Sequence, residues 1–112
     1  MNLDNHVQSI PDSDSALRFE FSRWIYGWKR SAEPVESLDY LVTKWHGNVW
    51  FQKTGDSDAF IQNWRTFKSE AIDGISGMTL NERLHVFGLL ELWAESDEEF
   101  RVVLRRKVSA SS

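Results

Sequence analysis

The sequence predicts an all-α fold, a single compact bundle of about five helices with a short extended connector around 48–52. Three observations lead there. Apolar residues recur at helical spacing in successive segments. Capping-box patterns stand at Thr79–Glu82 and Ser96–Glu99. Only Asn48–Gln52 has strand-like composition, and it runs at once into the turn cluster Lys53-Thr54-Gly55-Asp56. A length of 112 residues suits one domain spanning 1–112, because a split would leave two marginal cores.

Residues 1–12 hold few apolar anchors and read as a flexible arm. The first helix begins near Ser13 and carries Leu17, Phe21, Trp24, Ile25 and Trp28 on one stripe, closing at Lys29-Arg30-Ser31. Glu33-Pro34 opens a second helix over 34–46, since proline at the first helical position gives up an N–H that had no partner. Gly47 follows as its cap.

Ser57 or Asp58 caps a third helix bearing Phe60, Trp64, Phe67 and Ala71, which stops near Gly74. The fourth starts at the Thr79 capping box and is apolar nearly all round through Leu84, Val86, Phe87, Leu89, Leu90, Leu92 and Trp93, the pattern of a central helix. Gly88 inside it implies a close approach to the backbone. The last helix opens at Ser96 and ends near Val108, leaving 109–112 as a flexible Ser-rich tail.

Several function classes fall away on composition. With no cysteine there is no disulfide framework, thiolate metal site or cysteine nucleophile. His6, His46 and His85 are far apart and lack ligand spacing, so neither a metal nor another cofactor is expected. No serine sits in a nucleophile elbow, and Gly74-Ile75-Ser76-Gly77 lacks the rest of a phosphate loop. No catalytic residue stands out, although carboxylate acid–base chemistry, or His46 with His85, remains a minor enzymatic reading. No apolar run approaches a membrane span and no leader is visible, which makes the cytoplasm the expected location. A net charge of −4 repels a phosphate backbone. The basic run from Arg101 to Lys107 is a weak nucleic-acid footprint beside so many acids.

The unusual feature is aromatic: six Trp, seven Phe and two Tyr. Helical spacing assigns Phe21, Trp24, Trp28, Trp45, Phe60, Trp64, Phe67, Phe87, Trp93 and Phe100 to packing stripes. Phe19, Tyr26 and Tyr40 lie off those stripes, and Trp50 and Phe51 belong to no helix. Acids are also unevenly placed. Asp97, Glu98 and Glu99 suit the start of the last helix. Glu91 and Glu95 form a like-charged pair near the C-terminal end of the fourth, where negative charge is disfavoured. Asp56 and Asp58 precede the third helix beside Trp50 and Phe51. The expected partner-binding residues are therefore Trp50, Phe51, Asp56, Asp58, Glu91 and Glu95, with aromatics as anchors and acids steering a basic partner.

Met78-Thr79-Leu80-Asn81-Glu82-Arg83-Leu84, followed by Gly88-Leu89-Leu90-Glu91, resembles the C-terminal part of small bacterial immunity proteins, including those paired with contact-dependent growth inhibition toxins. The similarity covers about residues 78–100 and departs at Leu92-Trp93-Ala94, where the group carries a more polar segment. It implies a non-enzymatic protein that binds a cognate toxin, often a basic nuclease, and occludes its active site. The competing expectation is a small helical adaptor or structural interaction module with no toxin partner.

Overall fold

The structure, a computed structural model, describes residues 2–109. Among these residues it is all-α, with seven α-helices and no strand. α1 spans Leu3–Gln8, where a flexible arm was expected. Asn2 and Asn5 cap it reciprocally: each side-chain carbonyl oxygen accepts the other's backbone N–H, at 3.0 and 2.7 Å. This is the capping-box geometry built from two asparagines instead of Ser/Thr and Glu. Leu3, Val7 and Ile10 are buried, so the segment is anchored in the core.

A 3₁₀ turn at Asp12–Asp14 leads into α2, Ser15–Arg30, which buries Phe21, Ile25 and Trp28. Trp24 lies on the expected stripe but at its edge, and stays 37% exposed. α3 spans Ser37–Gly47, three residues shorter at its start than the Pro34 signal suggests. The carbonyl of Pro34 instead accepts the backbone N–H and the hydroxyl of Ser37 and the Trp28 indole N–H. The connector at 48–52 forms no helix and pairs with no strand.

α4 spans Thr54–Phe67 and continues as a π-helical turn, Lys68–Ile72, and a 3₁₀ turn, Ile75–Gly77. It begins before the expected Ser57 or Asp58 cap, and no side chain caps it. Ser57 is occupied elsewhere, its hydroxyl 2.9 Å from Nε2 of His46.

The expected single central helix is two. α5, Leu80–Val86, carries the Thr79–Glu82 capping box, and α6 spans Leu90–Glu95. Between them Gly88 takes φ +67°, with its N–H on the His85 carbonyl at 3.1 Å and the Leu89 N–H on the Leu84 carbonyl at 2.8 Å. Those two bonds and the left-handed glycine make a Schellman C-cap. The apolar run continues through the break because Leu84 and Leu89, the residues bonded across the cap, are both buried in the core. A side chain at Gly88 would collide with the Asp4 carboxylate at 2.5 Å and the Lys29 ammonium at 2.9 Å. The expected close approach is therefore that of an ion pair, Lys29 Nζ to Asp4 Oδ1 at 2.7 Å.

α7 runs Glu98–Ser109, so the first residue of the expected tail is helical and 110–112 lie outside the described residues. One contiguous core links the elements. Phe21, Trp45 and Phe60 form its aromatic centre, with ring centroids 4.6–5.5 Å apart. The indole N–H groups of Trp28, Trp45 and Trp64 are all bonded, to Pro34 and Ser37, to Glu20 and to Asp39. A buried Trp keeps its place without an unsatisfied donor in this way.

Candidate functional site

Alternation along the connector decides which aromatic faces water. Val49 and Phe51 pack against the core, and the Phe51 ring lies 5.9 Å from Phe60 and 6.3 Å from Trp45. Trp50, pointing the other way, is 87% exposed. The segment is nevertheless pinned. The Gln52 backbone N–H donates to Asp14 Oδ1 at 3.1 Å, and its side-chain amide donates to the Ser13 carbonyl at 2.8 Å. Trp50 is thus a large apolar side chain held in water on a braced support. Phe51, expected as a second anchor, is half-buried structural packing.

Asp56 and Asp58 lie inside α4 rather than on a loop before it. Asp56 is half-buried in the first turn, where the helix dipole favours its charge, and Asp58 is exposed. Glu91 and Glu95 are both exposed on α6. Because the Gly88 cap restarts the helix, Glu91 sits in a first turn and is no longer at odds with the dipole. Only Glu95 remains at a C-terminal end.

The two acidic pairs do not share a site. Gln52 ties the Trp50 segment to the residues that start α2, whereas Glu91 and Glu95 line a groove with Tyr26, Lys29 and Arg30 at its end. Sixteen residues of α2 separate these regions by roughly 24 Å at 1.5 Å per residue. Trp50, Asp56 and Asp58 are neighbours along the chain, but the two aspartates stand two residues apart on α4 and so point to different sides of it.

The remaining polar residues of note are structural. Arg101 and Arg105 lie over the Trp93 ring at 5.3 and 5.7 Å, which uses part of the basic run internally. Arg83 donates to the carbonyls of Met78 and Val108 at 3.0 and 3.1 Å. His46 stacks on Phe60, and His85 is exposed on α5. No group of three or more His, Asp or Glu arranged to hold a metal occurs among the described residues. Burial holds the His6 imidazole down to about 4, between Trp64 and Phe67, with neither ring nitrogen bonded.

A second surface was only half legible. Phe19, Tyr26 and Tyr40, the aromatics off the packing stripes, are all strongly exposed, and Trp24 joins them. Cations lie over three of these rings: Arg23 over Phe19, Arg30 over Tyr26 and Lys44 over Tyr40. The off-stripe positions signalled the rings, but their assembly with Lys44 depends on how α3 packs beside α2. No helix among the described residues is long and apolar enough to cross a membrane. Compared with protein-family models, curated proteins and solved structures, the chain matches none.

Proposed function

We propose that this chain is a non-enzymatic protein-binding module of the immunity type, which acts in the cytoplasm by occluding the active site of a cognate, basic nuclease-type toxin. The observation that carries the reading is Trp50, 87% exposed on a connector braced by Gln52. An anchor already held in position loses little conformational entropy on binding, and Trp is the residue most enriched at interface hot spots. Asp58, exposed on α4 eight residues further along the chain, adds negative charge that steers a basic partner. The similarity of 78–100 to immunity proteins supports the same class.

The test pairs this chain with the toxin domain encoded in the neighbouring reading frame. Nuclease activity should be neutralised at one-to-one stoichiometry, with affinity falling as salt rises. Trp50→Ala should weaken binding about 30-fold or more, the scale of a hot-spot residue. An unaffected toxin, or full neutralisation by Trp50→Ala, would discard the reading.

A helical adaptor without a toxin partner is the second reading. It is favoured by the structural roles of Glu82, Arg83, Leu84 and Gly88, which cap, clamp and pack the fold on their own account. Binding of the neighbouring product through Trp50 with no loss of its activity would select it.

A further inference from the structure

Asp14 stands immediately before α2, the position from which an Asp side chain ordinarily accepts an N–H of the first helical turn. It makes no such bond. Its backbone, at φ −116° and ψ 39°, lies outside the extended range of a capping residue, and Oδ1 instead accepts the backbone N–H of Gln52 at 3.1 Å, 38 residues along the chain. The residue is only 5% exposed, and among the described residues Oδ2 has no hydrogen-bond partner. An unpaired buried carboxylate oxygen is costly, so two local preferences are given up at one residue. Such losses are expected where a side chain serves a functional surface and not its own helix.

Asp14 is firmly held in turn. Its N–H donates to the Pro11 carbonyl at 2.9 Å, and the Arg18 guanidinium ties the Ile10 carbonyl and Asp12 Oδ1 to α2 at 3.1 and 2.8 Å. At the other end of the bond, Gln52 follows Phe51, whose ring packs on Trp45 and Phe60. Apolar contact has no preferred direction, so Phe51 sets the depth of the connector but not its rotation. A hydrogen bond is directional, and the one to Asp14 fixes the plane of the peptide that joins Phe51 to Gln52, one residue from Trp50. We infer that Asp14 is a positioning residue for Trp50: from the start of α2 it fixes the orientation in which the connector presents the indole to a partner. This rests on the reading of Trp50 as the anchor. Buried as it is, Asp14 acts on a partner only through the connector.

The experiment begins without a partner, with backbone ¹⁵N relaxation and amide exchange on the full chain and its variants. In the parent protein the Trp50 N–H should show an order parameter of about 0.85, and the Gln52 amide should exchange at least about tenfold more slowly than an unbonded one. Asp14→Ala should bring the Trp50 value below about 0.6 while the amides of α2 and α4 stay rigid. Asp14→Asn, which keeps the Oδ1 acceptor, should hold the parent value. Gln52→Ala, which removes only the amide bond to Ser13, should loosen Trp50 less than Asp14→Ala does. Against the toxin domain of the neighbouring reading frame, Asp14→Ala should weaken binding at least about tenfold, the cost of fixing one residue's backbone again on association. In a Trp50→Ala background the same change should weaken it by no more than about twofold, an outcome that a merely structural aspartate would not produce. A rigid Trp50 in Asp14→Ala, a mobile one in Asp14→Asn, a fast-exchanging Gln52 amide in the parent, or equal losses of affinity with and without Trp50 would each overturn the inference. A toxin domain that the parent chain does not bind discards the anchor reading, and the relaxation and exchange data then decide by themselves whether Asp14 orients the connector.

Discussion

Lys107 Nζ lies 4.0 Å from the centre of the Trp28 ring and donates to the Trp28 main-chain carbonyl at 2.7 Å, so one ammonium joins the end of α7 to the end of α2. The same nitrogen reaches the Glu33 carbonyl at 2.5 Å and Ser31 Oγ at 3.3 Å. The Lys107 carbonyl in turn accepts the Val35 N–H at 3.0 Å. A fully buried lysine is tolerable here because carbonyl oxygens and the negative end of α2 replace water around it.

Lys107→Met should therefore destabilise the fold by about 1–3 kcal/mol in urea titrations, the scale expected when buried carbonyls lose their donor. The apolar stem is conserved in this variant, which isolates the ammonium. Midpoints equal to the parent protein would show that the carbonyls find other partners.

Burial also lowers the Lys107 ammonium to about 8, against an ordinary value of 10.5. Between these values the unfolded chain holds the proton and the folded chain has released it, so this group makes stability rise with pH across that window. Below about 8 both states are protonated and the contribution is flat. The slope difference between the parent protein and Lys107→Met, measured from pH 7.5 to 10, should be positive; a zero or negative difference would contradict the burial.

His6 works at the acid end. Held to about 4 by burial, against 6.5 when free, it stays neutral in the folded state while the unfolded chain takes up a proton. Stability from this group is intact above about 6.5 and is lost as pH falls toward 4, with no further loss below. His6→Leu should flatten the stability profile over that interval, and an unchanged profile would place the acid sensitivity elsewhere.

Gly88→Ala should be destabilising by about 2 kcal/mol, combining the left-handed φ of +67° with collision against the Asp4–Lys29 pair. Gly27→Ala, in the interior of α2 where a Cβ meets nothing within 4 Å, should shift the thermal melt in the opposite direction. A neutral Gly88→Ala would mean that α5 and α6 join without the cap.

Neighbouring aromatics in the connector should separate cleanly. Phe51→Ala removes ring contacts with Trp45, His46 and Phe60 and should lower stability by about 2 kcal/mol, somewhat below a full core truncation because the ring is half-buried. Trp50→Ala should change stability by no more than about 0.5 kcal/mol, as an exposed side chain without packing. A large loss at Trp50 would show that the ring is buried in solution, and the proposed anchor would go with it.

Local signals in the sequence determined what local physics controls. Helical spacing identified the all-α class and the buried stripes through Phe21, Ile25 and Trp28 and through Phe60, Trp64 and Phe67, because a side chain's angular position on a helix follows from its number alone. The Thr79–Glu82 cap was equally visible, since its partners lie three residues apart. Tertiary structure decided what rests on distant partners. α1 is held because the core takes up Leu3, Val7 and Ile10, three apolar residues that looked too few. α5 and α6 separate at the Gly88 cap, over which Asp4 and Lys29 pair from distant parts of the chain. Trp50 and Phe51 part company because the connector turns one toward Phe60 and leaves the other in water. The acids near Trp50 and those on α6 stand apart because the length of α2 lies between them, a separation that no spacing along the chain expresses.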